Sequence, residues 1–275
     1  MDDSSKKAAV EAGIRNEFHG KLFEPFTKAC RDYQLIGEGD RIAVCISGGK
    51  DSMLMAKLFQ EIQKHRKVSF DLEFISMDPG YRSENRSLIE SNAKELGIPL
   101  TFFESDIFEE VNKAGKGSCY ICARMRRGHL YSKAKEMGCN KIALGHHYDD
   151  VIETILMGML CGGQIRTMMP KLRSRNYEGM ELIRPMYLIR EEDICTWRDA
   201  NDLKFLQCAC RMTGGGAEDA RVMTKRLEIK DLIAQLKQID PSVEANIFSS
   251  VENIDLDAVT GYKKDGQRIS FLDDY

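Results

Sequence analysis

The stretch RIAVCISGGKDSMLMAKLF, residues 41–59, sets the strongest limit on what this chain can fold into. A short apolar run reaches Ser47, two glycines follow, then Lys50, Asp51 and Ser52, and a helical pattern begins. A glycine turn that hands a buried strand to a helix is a unit of an open α/β sheet, whose ligands bind beyond the carboxyl ends of the strands. Gly48 and Gly49 let backbone N–H groups converge with no Cβ in the way. The helix N-terminus adds positive potential, so the turn suits an anion. Ser47 and Ser52 add hydroxyl donors and Lys50 adds a cation. The spacing matches neither the usual mononucleotide loop nor the dinucleotide fingerprint. An ordinary strand–helix turn can carry the same letters.

The rest of the chain repeats the alternation. Residues 5–36 read as helix, 51–66 as helix, 70–78 as a second strand ended by Pro79-Gly80, and 82–97 as a helix with Gly97 past its last turn. IPLTFFESD is a third strand, residues 123–138 a helix, CNKIALGHH a fourth strand, and residues 148–163 an apolar helix stopped by Gly162-Gly163. ELIRPMYLI is the fifth strand, followed by a helix over 190–203. A charged helix at about 218–238 and a polar tail close the chain. Strands alternating with helices imply crossover units and a mostly parallel sheet with helices on both faces. The expected division is an N-terminal helical extension (1–38), a nucleotide-type α/β domain (39–210) and a C-terminal helix and tail (211–275).

With 275 residues the chain can bury a substantial core. Its formal charge of -3 does not announce a nucleic-acid binder, so an RNA partner needs a local basic patch. No apolar run is long enough to span a membrane, and no secretory signal is visible. The nine cysteines are odd in number. That argues for a reducing cytoplasm and for metal or redox use of paired cysteines, not for a disulfide framework. Cys119-x-x-Cys122 is the clearest pair; alone it reads as a redox pair, half a zinc site or an incidental spacing. It is expected in a loop ahead of a basic helix. Cys208 and Cys210 are the candidates for further thiolates, while Cys30, Cys45, Cys139, Cys161 and Cys195 lie in strand or helix patterns and read as inert core residues.

Ser47-Gly48-Gly49-Lys50-Asp51-Ser52 resembles the PP-loop of the ATP pyrophosphatase superfamily, which splits ATP into AMP and pyrophosphate and uses the AMP to activate a carbonyl oxygen. CYICARMRRGHLY (119–131), KIALGHHYDDVIETILMGMLCGG (141–163), RPMYLIREEDI (184–194) and CAC (208–210) are similar, in order, to the tRNA 2-thiocytidine synthetase family. The resemblance covers roughly residues 35–250.

The resemblance implies that residues 47–52 cradle the released pyrophosphate, with Lys50 offsetting charge that builds on the phosphates. Asp51 belongs to that site by the same token, although a first-turn acid also serves the helix dipole. Met77, at the end of the second strand, is the position expected to meet adenine; a methionine facing the core is the alternative. The segment Gly145-His146-His147-Tyr148-Asp149-Asp150 falls in the ATP site, with Asp149 and Asp150 favoured over His147 as partners of Mg²⁺. Three thiolates, from Cys119, Cys122 and Cys208, would hold a [4Fe–4S] cluster with one iron open to sulfide. Four, with Cys210, would suit structural zinc. The family spaces its second cysteine pair by two residues; here only Ala209 separates them.

Two basic clusters are candidates for RNA phosphates: Arg124, Arg126, Arg127, Lys133 and Lys135, and then Arg166, Lys171, Arg173 and Arg175. The implied activity is ATP-dependent thiolation of a tRNA cytidine in the cytoplasm, with sulfur from a cysteine desulfurase or free sulfide. A homodimer is compatible. Thiolation of a uridine by the same chemistry, and a zinc-stapled RNA-binding module without activity, are the rival readings.

Overall fold

The computed structural model describes residues 3–105, 119–206 and 217–273. Its centre is a six-stranded sheet in the order β3-β2-β1-β4-β6-β5. The strands are β1 (Asp40–Cys45), β2 (Phe70–Asp78), β3 (Leu100–Glu104), β4 (Lys141–Ala143), β5 (Lys171–Arg173) and β6 (Glu181–Ile183). β1 lies between β2 and β4, and every pairing is parallel except that of β5 with β6. The expected open, mostly parallel α/β sheet is therefore present.

β1 explains why. Ile42, Ala43 and Val44 are fully buried, and Cys45 and Ile46 nearly so. Such a run without polar alternation suits a strand covered on both faces, the situation of a parallel sheet. Strands β2 and β3 lie on one side of β1 and β4 on the other. The order thus reverses between β1 and β4, and a crevice opens there beyond the strand ends.

The helices are α1 (Asp3–Arg15), α2 (Glu24–Asp32), α3 (Lys50–Lys64), α4 (Ser83–Glu95), α5 (Cys119–Glu136), α6 (Tyr148–Gly162), α7 (Glu191–Ala200), α8 (Ala217–Ile239) and α9 (Val243–Ser249). α3 buries Met53, Leu54, Leu58 and Phe59. Its Lys57 is also almost fully buried and donates to Glu11 Oε1 at 2.8 Å and to the Leu96 carbonyl at 2.7 Å. The helix that carries the glycine turn is thereby tied to α1. Burial raises the Glu11 carboxyl, but Lys57 and Lys64 outweigh it and bring it down to about 2.

Several boundaries differ from the sequence reading. The helix expected over 5–36 is broken after Arg15, passes through a π-helical turn at His19–Phe23, and resumes as α2 with Pro25 in its first turn, where a missing N–H costs nothing. The fifth strand stops at Ile183, because Pro185 cannot donate to a ladder, and residues 185–188 turn instead. β5 was hidden in a basic segment; three residues, two of them charged, show no strand period. Cys119 and Cys122 do not lie in a loop: they stand one turn apart at the head of α5, since residues 119–127 contain no helix breaker. The tail includes α9 and a hairpin of β7 (Gly261–Lys264) and β8 (Gln267–Ser270). Cys161 is exposed and Cys195 half-buried, so neither is a core residue, whereas Cys30, Cys45 and Cys139 are. Burial raises all three of those thiols, Cys139 to about 11.

By internal contacts the chain forms two compact units, Met1–Val151 with Met169–Lys225, and Ile152–Met168 with Arg226–Tyr275. The first contains the sheet. The second is held by pairs such as Arg226 Nε with Glu153 Oε2 at 2.6 Å and Lys237 with Glu244 at 2.9 Å. Among the described residues no helix is long and apolar enough to cross a membrane.

Candidate active site at the β1–β4 crevice

The turn after β1 is shaped by its own side chains. Ser47 N–H donates to Ser52 Oγ at 3.1 Å, Ser52 Oγ donates to the Gly49 carbonyl at 3.0 Å, and the two serine hydroxyls are 3.2 Å apart. Gly48 has φ +85°, and a Cβ there would meet Ile89 Cγ1 at 2.5 Å. Only glycine fits on both counts. Gly49 is the N-cap of α3, and no side chain caps that helix. The first-turn N–H groups of α3 therefore have no intrahelical partner and stand ready for an anion.

The turn after β4 closes against it. A Cβ on Gly145 would stand 3.2 Å from Ser52 N and 3.3 Å from the Asp51 carbonyl carbon. The missing side chain lets the two turns touch. His147 is buried among three carboxylates: Nδ1 is 3.6 Å from Asp149 Oδ2, and Nε2 is 3.5 Å from Asp150 Oδ2 and 4.0 Å from Asp51 Oδ1. Burial pushes its imidazole down, but Asp149, Asp150 and Asp51 outweigh that and raise it above its ordinary value. Burial pushes the Asp149 carboxyl up; His147, the Glu191 N–H and Arg190 outweigh it and hold it below the carboxylate range.

Lys50 completes the crevice. Its ammonium is 3.0 Å from Asp51 Oδ1 and 3.1 Å from Glu191 Oε1. Burial disfavours the charge, yet the two carboxylates leave the lysine above its ordinary value. Glu191 opens α7, and its N–H donates to Asp149 Oδ2 at 2.7 Å. A cavity of about 540 Å³ borders this group, lined by Lys50, Asp51, Glu191, Cys195, Lys204 and Leu206 among others.

The sequence-predicted residues Ser47, Gly48, Gly49, Lys50, Asp51, Ser52, Gly145, His147, Asp149 and Asp150 thus converge, and His146 lies in the same turn. Met77 is next to last in β2, with its side chain packed on Phe103, Met125 and Leu130. Cys208 and Cys210 lie outside the described residues, as do the side chains of Cys119 and Cys122. Sequence reasoning did not single out Glu191 or Arg190. Their only signal was membership of RPMYLIREEDI, and an acid opening a helix reads as a dipole partner.

Comparisons with known proteins give the family. The profile of the PP-loop domain matches residues 21–210. The chain is 35% identical over 237 residues to the tRNA-cytidine(32) 2-sulfurtransferase of Anaeromyxobacter dehalogenans (strain 2CP-C), covering 85% of this chain and 79% of that protein. This chain belongs to the PP-loop family of tRNA-cytidine(32) 2-sulfurtransferases. The member from Syntrophotalea carbinolica is 35% identical over 244 residues, 88% of this chain and 92% of that protein. The U34-tRNA thiolase NcsA of Methanococcus maripaludis, solved with its [4Fe–4S] cluster, shares the fold with a TM-score of 0.63 and 21% identity over 84% of this chain and 79% of that one. PP-loop membership gives the paired turns at β1 and β4 a common context: both lie where the sheet order reverses.

Proposed function

We propose that this chain is an ATP-dependent tRNA sulfurtransferase that converts a cytidine, at position 32 as in the relatives' name, to 2-thiocytidine. The 35% identity over most of both chains carries the reading. The triphosphate lies on the β1–α3 turn, with its leaving pyrophosphate on the N–H groups of Gly48, Gly49 and the first turn of α3. The Ser47 and Ser52 hydroxyls and Lys50 add donors there. Adenine meets the backbone at the end of β2, at Met77. The C2 oxygen of the cytosine attacks the α-phosphorus, and pyrophosphate leaves. Lys50 stabilises the charge that builds on the leaving phosphates. Sulfide-level sulfur then adds at C2, and AMP leaves with the former C2 oxygen.

The His147 ring and the Glu191 N–H orient Asp149, and the His147 N–H orients Asp150. Among the described residues no group of three or more histidine, cysteine or acidic side chains could hold a metal ion. Mg²⁺ would be bound mainly through substrate phosphates and water, with one or two carboxylates from Asp149 and Asp150. Cys119 and Cys122, one turn apart on α5, with Cys208, would hold a [4Fe–4S] cluster. When bound, that cluster would supply an open iron for sulfide, either taken up free or released from a cysteine desulfurase's persulfide by a thiol that is oxidised to a disulfide.

Mass spectrometry of tRNA nucleosides, from cells with and without the gene, tests the substrate. 2-Thiocytidine should disappear on deletion and reappear when anaerobic enzyme receives ATP, sulfide and tRNA. Loss of a thiouridine instead would move the activity to the uridine relatives. Release of ADP and phosphate would overturn the assignment of the β1–α3 turn.

A further inference from the structure

The two basic segments that are separate in sequence meet in space. Arg124 and Arg127 lie one turn apart on α5, and Arg173 and Arg175 flank Ser174 at the end of β5. All four are exposed and line one groove of about 1060 Å³. Among the described residues that line it none is acidic. Among the described residues none of the four has an acidic partner. Other cations of the same segments are neutralised: Lys133 pairs with Glu136 at 2.7 Å and Lys171 with Glu181 at 3.2 Å.

The groove has fixed walls. Tyr177, on the β5–β6 turn, donates from its hydroxyl to the Gly128 carbonyl of α5 at 2.9 Å. Its ring stacks on Tyr131 at 5.2 Å and 13°. The turn closes on itself through Ser174 N–H to the Met180 carbonyl at 2.8 Å and Tyr177 N–H to Ser174 Oγ at 3.1 Å. Arg184, 4% exposed, follows β6 and donates from Nη1 to the Met169 carbonyl, and among the described residues its Nε has no hydrogen-bond partner. Burial, reinforced by Arg127, pushes its guanidinium down to about 10, and Asp150 pulls the other way.

We infer that this groove seats the phosphodiester backbone of the tRNA next to the reactive base, with Arg124, Arg127, Arg173 and Arg175 as the phosphate ligands. The inference rests on the tRNA-thiolating reading and adds the surface that holds the substrate. Guanidinium forks match phosphate geometry. Four of them along an open groove fit a strand of phosphates better than a single anion. A half-exposed tyrosine on the wall suits an unpaired base, the accessible kind in RNA loops.

The test is fluorescence anisotropy of a labelled tRNA transcript with full-length enzyme, from low to moderate salt. The variants are Arg124→Gln/Arg127→Gln and Arg173→Gln/Arg175→Gln. Lys28→Gln/Arg31→Gln, which removes two cations from the Asp32 ion pairs on α2, is the control for net charge. Each groove variant should bind at least about tenfold more weakly at about 0.15 M salt, with a salt slope reduced by roughly 1 for every phosphate that is no longer held. The control should stay within about twofold. Thermal unfolding midpoints, unchanged in the groove variants, exclude misfolding. Unchanged affinity and slope in folded groove variants overturn the inference, as does equal competition by polyglutamate. If the variants lose tRNA but wild-type enzyme forms no thiolated nucleoside, the groove stands and the thiolation reading falls. If wild-type enzyme thiolates and the variants bind undiminished, the groove alone falls.

Discussion

Lys50 and Glu191 are 141 residues apart in the chain and 3.1 Å apart in space. The carboxylate holds the same ammonium that is proposed to meet the phosphates of a bound nucleotide. A triphosphate must therefore displace or share that contact. Glu191→Gln should lower the KM for ATP about fivefold, the equivalent of about 1 kcal/mol for a partly exposed ion pair. Lys50→Ala should reduce AMP formation about a hundredfold or more. Steady-state AMP release with varied ATP measures both; a higher KM in the glutamine variant would show that Glu191 assists binding instead.

Gly48 and Gly49 are neighbours with opposite tolerances. Gly48→Ala forces a Cβ into Ile89 at φ +85°, and should cost about 2–4 kcal/mol. Gly49 has φ −81°, and among the described residues a Cβ there would meet Ser47 Oγ at 3.6 Å and the Leu206 carbonyl at 3.7 Å, both ordinary contacts. Gly49→Ala should cost less than about 1 kcal/mol of stability. Chemical denaturation of the two variants decides it, and equal losses would refute the Ile89 explanation.

Glu11 provides an acid-side signature. Its folded pKa of about 2 lies below the unfolded value, so its contribution is present above about pH 4.5 and lost as pH falls towards 2. Glu11→Gln should destabilise the protein at pH 7 by about 2 kcal/mol once solvent screening is allowed for, because Lys57 keeps its Leu96 and Gln60 acceptors. The gap between wild type and variant should close as pH drops from about 4.5 towards 2. A gap independent of pH would mean that packing, not charge, holds α1 on α3.

The cysteines separate cluster from core. Anaerobically purified protein should be brown and bleach in air. Cys119→Ala and Cys122→Ala should remove the visible absorbance, and Cys208→Ala should do the same. Cys139→Ala should retain it, since Cys139 is buried in the core beside Tyr131 and Ile142. Metal analysis showing stoichiometric zinc without iron would replace the cluster with a structural site.

The sheet, the strand–turn–helix at residues 41–59 and the second turn at 144–150 were legible because each is a local pattern. An unbroken apolar run, a glycine pair and a helical period are set by neighbours in sequence. The resemblance was readable for the same reason, as motifs in order. β5 was not legible: Lys171, Leu172 and Arg173 become a strand only because β6 offers an edge to pair with. The end of β6, by contrast, has a local cause in Pro185.

By itself the sequence determined which chemistry the chain carries: the glycine turn, the acids after β4 and the paired cysteines are covalent facts of spacing. Only the tertiary structure decided which charges meet. It set Glu191 on Lys50, enclosed His147 among Asp51, Asp149 and Asp150, and joined Arg124 and Arg127 to Arg173 and Arg175 across a groove. The reason is range. Backbone preference acts over a few residues, whereas a charge finds its partner wherever crossover connections bring distant segments to the same end of the sheet.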